Sequence, residues 1–307
     1  MPQLINPLYD IGFKLLLGRE NVSEEVLMNF LNTIFDGDPQ LSNIVNLRYL
    51  NSERPGELET GKGIRYDIMC ETSTGHRFIV EMQKAPQHNF IQRGEYYVCR
   101  GIAEQGYRGK NNEDLDWDYQ LTPVIGVFLC NFYITGLERK VLTSARMIDE
   151  ENGKPVDNLM RLIYIQLPAF LKEEIECESG FDQWIYNLKN MGLRQTVAFQ
   201  GQNEIFQRLA SIGNIASLSP EERRSYEIDL KRARDMYSQL KYASDEGRAV
   251  GLAEGRAEGR AEGRAEGRAE GRIEGYKETA RNLKRMGLPL EQIQEATGLD
   301  MEYLRSI

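Results

Sequence analysis

Apolar residues recur at every second position in two neighbouring stretches of this chain, and the rest of the sequence is arranged around them. The stretches are Ile64 to Glu71 and Arg77 to Gln83, both rich in β-branched, aromatic and large apolar residues that suit a pleated surface. Ser73-Thr74-Gly75 between them predicts a three-residue hairpin loop, with glycine where a left-handed conformation is needed. That loop sets Thr72 against His76, and counting back along both strands sets Asp67 directly opposite Glu81. Opposed residues share a face of the sheet, and the period of two puts Gln83 on that face as well. The other face carries the apolar pairs Tyr66/Met82, Ile68/Val80 and Cys70/Phe78, so the hairpin is expected to be central and buried.

Helical spacing surrounds this pair. Pro7 to Gly18 predicts a short helix with Asp10 and Lys14 one turn apart. Asn21-Val22-Ser23-Glu24-Glu25 reads as a capped start, followed by an apolar stripe of Val26, Leu27, Phe30, Leu31, Ile34 and Phe35. Asp36-Gly37-Asp38-Pro39 stops it. Ile44 to Leu50 is strand-like, and Asn51 to Gly63 reads as a loop. After the hairpin, Asn89 to Gln105 predicts a helix carrying Arg93, Tyr96, Tyr97 and Arg100. Pro123 to Ile134 is a nearly continuous apolar run, as in a strand covered on both faces. Helix, three strands, helix, strand is the order of an α/β sandwich with a mixed sheet. A further strand is expected at Leu159 to Leu167, then helices around Phe181 to Lys189 and Asn203 to Ile212. Ser219-Pro220-Glu221-Glu222 opens a charged helix running to about Ala243.

From Gly247 to Gly275 glycine recurs every fourth residue, with tandem Ala-Glu-Gly-Arg at its centre. A helix turns about 400° in four residues, so glutamate lies above glutamate and arginine above arginine. No favourable ion pair at i,i+3 or i,i+4 is then available, and each glycine costs about 1 kcal/mol against alanine. Alone, the repeat should be a marginal helix; a solvated spacer and a surface for a second copy are the two readings. The organisation expected is residues 1–242 as one α/β domain with its following helices, 243–275 as the repeat, and 276–307 as a helix-turn-helix-like tail suited to protein contact.

The net charge is −9, nearly all of it before Pro220, which argues against a broad basic coat for nucleic acid. Having only His76 and His88 argues against a histidine triad or zinc site; Cys70, Cys99, Cys130 and Cys177 lack metal spacing and read as reduced thiols. No apolar run is long enough for a membrane span and the first residues lack a signal pattern, so a cytoplasmic protein with no membrane partner is expected.

Two carboxylates placed together near a core repel one another unless a cation intervenes. Oxygen-only ligands suit Mg²⁺, which takes phosphate oxygens as its other ligands. Pairing of Asp67 and Glu81 with strand neighbours such as Arg65 or Arg77 is the alternative.

The central stretch resembles the PD-(D/E)XK nuclease superfamily, and within it the branch of recombination-promoting nucleases and transposases. PLYDIGFKLLLG, YDIMCETSTGHRFIVEMQ, the Arg93 to Tyr97 stretch and LIYIQLP resemble family landmarks in family order, over roughly residues 4 to 240. The resemblance implies a restriction-endonuclease-like fold and metal-dependent hydrolysis of double-stranded DNA. It implies that Asp67 and Glu81 bind Mg²⁺ or Mn²⁺, with Gln83 standing where the superfamily has lysine. Lys14 is the candidate for the missing positive charge, Asp10 for a further ligand or orienter, and Arg93 with Tyr97 for phosphate binding; Asp10 with Lys14 as an ordinary i,i+4 pair, and Arg93 and Tyr97 as structural residues, are the alternatives. A homodimer would supply the second active site. The rival reading is a nuclease fold that serves as a DNA-binding or assembly module.

Overall fold

The computed structural model describes residues 4–54, 64–107 and 120–307. It divides into two units, Met1–Ala233 and Arg234–Ile307. In chain order the elements are α1 (Asp10–Leu17), α2 (Glu24–Ile34), β1 (Leu47–Tyr49), β2 (Glu53–Arg54), β3 (Ile64–Arg65), β4 (Ile68–Thr72), β5 (Arg77–Gln83) and α3 (Phe90–Ala103). There follow β6 (Val124–Cys130), β7 (Leu142–Arg146), β8 (Met160–Gln166), α4 (Gly180–Asn190), α5 (Glu204–Ile212), α6 (Pro220–Arg285), α7 (Leu290–Thr297) and α8 (Met301–Ser306).

Six strands form one mixed sheet in the order β1-β4-β5-β6-β8-β7. β1, β4 and β5 are antiparallel neighbours, β6 and β8 add in parallel, and β7 closes the edge antiparallel to β8. The hairpin has the register read from the sequence: Ile68 pairs with Val80 and Cys70 with Phe78. Gly75 takes φ +84°, the left-handed turn only glycine adopts without strain. Alternation then sends Ile68, Cys70, Phe78, Val80 and Met82 to one face, packed with α1, α2, α4 and α5. Met69, Ile79, Phe128 and Tyr164 go to the other, covered by α3. The fold is the α/β sandwich expected, restriction-endonuclease-like in its order of elements.

Four local expectations need correction. The first strand of the hairpin does not run unbroken from Ile64: the chain bends at Tyr66–Asp67, and β3 pairs with β2 inside the stretch read as a loop. The Tyr66 N–H goes to Ser52 O at 2.9 Å instead of to the hairpin. Tyr66 therefore packs on the α3 face, edge-on to Tyr97 at 5.4 Å, and not beside Ile68. The rest of that expected loop, residues 55–63, lies outside the described residues. Secondly, Ser23 does not cap α2 through its side chain; Glu24 Oε1 accepts the Asn21 N–H at 2.6 Å instead. Thirdly, β7 falls where no strand is expected, because its mixed, half-exposed residues show no periodicity and it exists through pairing with β8.

The fourth concerns α6, which runs on past Ala243 through the repeat. Its start is at the expected Ser219-Pro220-Glu221-Glu222 and forms a capping box, Ser219 Oγ accepting from Glu222 N–H at 3.2 Å and Glu222 Oε2 from Ser219 N–H at 2.8 Å. Within the first unit this start supports α1: Tyr226 Oη accepts the Asn6 N–H at 2.8 Å, and Asp229 Oδ2 accepts the Ile11 N–H at 3.3 Å.

In the second unit the repeat residues are exposed, and a Cβ added to any glycine from Gly247 to Gly275 meets nothing within 4 Å. No proline or helix-incompatible backbone interrupts it, so the helical hydrogen-bond ladder continues although no opposite charges align. Among the described residues no ion pair falls within Ala253–Arg272. The end of α6 packs with α7 and α8 around Ala280, Ile293 and Leu304, and Gly298 at φ +66° makes the turn between the two short helices. Among the described residues no helix is long and apolar enough to cross a membrane.

Candidate functional site

The bend at Tyr66–Asp67 removes backbone hydrogen bonds from the end of the hairpin, and two carboxylates take their place. The Asp67 N–H donates to Glu81 Oε1 at 2.9 Å, and the Met82 N–H donates to Asp67 Oδ2 at 2.9 Å. Each acid thus satisfies a backbone donor on the other's strand. Both side chains are enclosed, with 9% exposure for Asp67 and 2% for Glu81.

Helix α1 approaches from the opposite side of the sheet. Lys14 Nζ sits between two acids, 2.8 Å from Asp10 Oδ1 and 3.1 Å from Asp67 Oδ1. Burial opposes the charge on Lys14, but Asp67 and Asp10 outweigh it and raise its pKa. Burial also pushes the Asp67 carboxyl well above the usual carboxylate range, with the Glu81 charge and the Asp10 hydrogen bond adding to it. Glu81 is lifted to about 7, chiefly by burial, against the pull of the Asp67 N–H and of Arg93 and Lys14. Asp10 goes the other way: burial is outweighed by hydrogen bonds from Asp67 and Lys14, which lower its pKa.

Helix α3 closes the other side. Arg93 Nη2 lies 3.9 Å from Glu81 Oε2, and its Nε donates to Tyr97 Oη at 3.0 Å. Arg93 Nη1 also donates to Gln87 Oε1, and Gln87 Nε2 donates to Gln83 Oε1 at 3.1 Å. Close packing of α3 on the sheet holds this arrangement: a Cβ on Gly126 would fall 2.5 Å from the Phe128 ring and 2.8 Å from Val98. Beside the site, Lys84 Nζ lies 3.6 Å from the centroid of Tyr9, the residue that precedes α1.

All seven residues singled out from the sequence (Asp10, Lys14, Asp67, Glu81, Gln83, Arg93 and Tyr97) are linked by these contacts. Asp67 does not pair with Arg65 or Arg77: Arg65 is bound to Glu53, and Arg77 to Glu71. Gln87 and Asp229 escape sequence reasoning. Gln87 lies in an irregular loop, where i,i+4 spacing carries no signal, and Asp229 is separated from Ile11 by 218 positions.

Among the described residues no group of three or more His, Cys, Asp and Glu side chains forms a metal cage. The chemistry of the donors nonetheless fits a hard divalent cation. The carboxylates of Asp67 and Glu81 offer oxygen alone, and burial raises the pKa of both, a desolvation that a bound cation would offset.

No match to a curated protein or to a solved structure was found. A family model described as PD-(D/E)XK nuclease family transposase matches residues 7–243, most of the chain and the whole of the site formed by these residues. That match carries a nuclease-like or transposase-related function. The chain belongs to the PD-(D/E)XK nuclease family transposases.

Proposed function

We propose that this protein is a metal-dependent endonuclease that hydrolyses phosphodiester bonds in double-stranded DNA, in recombination or a transposase-like process. The observation that carries this reading is the enclosed pair Asp67 and Glu81, each acid bound to the other's strand and desolvated by burial. Asp67 and Glu81 would hold Mg²⁺ or Mn²⁺. When bound, such an ion polarises a phosphate and lowers the pKa of an attacking water.

The other residues act around that pair. Lys14, steadied by Asp10, places a permanent positive charge against Asp67 and supplies the cation that Gln83 cannot. Gln83 orients the attacking water or a phosphate oxygen by hydrogen bonding. Arg93 offers guanidinium N–H groups to a DNA phosphate, and Tyr97, whose ring lies 5.0 Å beneath it, sets its position. Two DNA strands run in opposite senses, so double-strand cleavage calls for two sites related by a two-fold axis, and a homodimer belongs to this reading.

Manganese titration followed by electron paramagnetic resonance tests the metal assignment apart from turnover. Wild-type protein should quench the free Mn²⁺ signal, and Asp67→Asn and Glu81→Gln should not. Equal quenching by all three would remove the pair from the metal site.

A further inference from the structure

Gln83 is a side chain with two opposite ends, a carbonyl that accepts and an NH₂ that donates, and its usefulness at a phosphate depends on which end is presented. A phosphate oxygen needs a donor. A free glutamine amide can rotate by half a turn and offer the wrong end. The contacts around Gln83 remove that ambiguity.

Arg93 sets the direction. A guanidinium carries five N–H donors and no acceptor, so whichever atom of Gln87 faces Arg93 Nη1 must be its carbonyl oxygen. The Gln87 NH₂ is then turned the other way, where it donates to Gln83 at 3.1 Å. An NH₂ can only be received by an oxygen, so Gln83 Oε1 is the end engaged by Gln87. The Gln83 NH₂ remains, and among the described residues no hydrogen bond from it to the protein is present. Tyr97 fixes the origin of the chain by accepting from Arg93 Nε at 3.0 Å, and Glu81 faces the same guanidinium. The direction of the hydrogen bonds that run from Arg93 through Gln87 to Gln83 therefore follows from the charge type of one arginine.

We infer that Gln87 is a positioning residue which locks the Gln83 side chain with its NH₂ outward as a hydrogen-bond donor for an electron-rich substrate oxygen, the donor direction being imposed by Arg93. The inference rests on the proposed nuclease reading for the identity of that oxygen, but the orientation itself does not. Gln87→Glu would reverse it. The new carboxylate still receives Arg93 but has no N–H to give, so Gln83 must rotate, donate its NH₂ to that carboxylate and present its carbonyl instead.

Two measurements decide it. Side-chain NH₂ groups of ¹⁵N-glutamine-labelled protein, assigned by single substitutions, report their exchange with water by NMR without any metal or turnover. In the wild-type protein Gln87 should hold a slowly exchanging proton and Gln83 none; in Gln87→Glu the protected proton should move to Gln83. A protected Gln83 NH₂ in the wild type, or no change at Gln83 in the variant, overturns the inference. On plasmid DNA, Gln87→Leu should slow cleavage about tenfold or more in the wild-type background and less than about threefold in Gln83→Lys, whose ammonium has only donors and needs no orienting. Equal losses in both backgrounds overturn it too. A wild-type protein with no cleavage activity would sink the nuclease reading, and the exchange measurement would still decide the orientation of Gln83.

Discussion

Asp67 and Glu81 are joined through the backbone: the Asp67 N–H is held by the Glu81 carboxylate, and the Asp67 carboxylate holds the N–H of Met82, next to Glu81. The two acids thus have a structural role that alanine cannot fill and amides can. Asp67→Ala and Glu81→Ala each leave an enclosed N–H without its acceptor, at a cost of about 1–3 kcal/mol. Glu81→Gln keeps an oxygen for the Asp67 N–H and relieves like-charge repulsion; Asp67→Asn keeps one for the Met82 N–H but turns its NH₂ toward Lys14 and gives up that ion pair. Thermal or urea unfolding of metal-free protein should show the alanine variants destabilised by that amount, Glu81→Gln at or above wild type, and Asp67→Asn between Asp67→Ala and wild type. Amide variants as unstable as the alanines would mean that the carboxylate charge itself holds the site together.

Position 83 separates donor chemistry from shape. Gln83→Lys supplies donors and a charge and should keep or raise cleavage activity; Gln83→Leu fills similar space with none and should abolish it. Single-turnover cleavage of a labelled duplex compares them. A leucine variant as fast as wild type would remove Gln83 from the reaction.

Helix α3 is set at its distance from the sheet by Gly126, where any Cβ runs into Phe128 and Val98. Gly126→Ala should destabilise the fold by about 1–3 kcal/mol through overpacking. It should also weaken DNA binding, because Arg93 moves with α3. Denaturant unfolding and a DNA-binding titration check the two effects, and an unchanged midpoint would show that the Phe128 ring gives way freely.

The hairpin was legible in the sequence because side-chain alternation and a glycine loop fix a register together, and that register alone puts Asp67 opposite Glu81. What alternation could not show was the bend at Tyr66–Asp67. The residues there continue the strand pattern, and only pairing with Ser52 and with Glu53–Arg54 draws Tyr66 to the other face. β7 has no period of its own, and the support of α1 by Tyr226 and Asp229 joins residues more than 200 positions apart. The continuation of α6 was obscured because stacked like charges and glycines predict a weak helix, whereas the backbone ladder has nothing to break it.

The repeat bears on strand number. Its glycines and arginines are solvent-exposed, and a helix without internal ion pairs gains order from a partner. Removal of residues 247–307 should weaken self-association and plasmid linearisation more than nicking. Light scattering and gel analysis of the truncated protein measure all three. A truncated protein that stays dimeric and linearises plasmid as before would assign dimerisation to the first unit.

The most direct test is cleavage of supercoiled plasmid by wild-type protein, Asp67→Asn and Glu81→Gln at matched concentration, each with Mg²⁺, with Mn²⁺ and with EDTA. A metal held by Asp67 and Glu81 predicts nicked and linear products from the wild type with either cation, none with EDTA, and none from the folded variants under any condition. Cleavage that survives EDTA, or that proceeds equally in both variants, would contradict it.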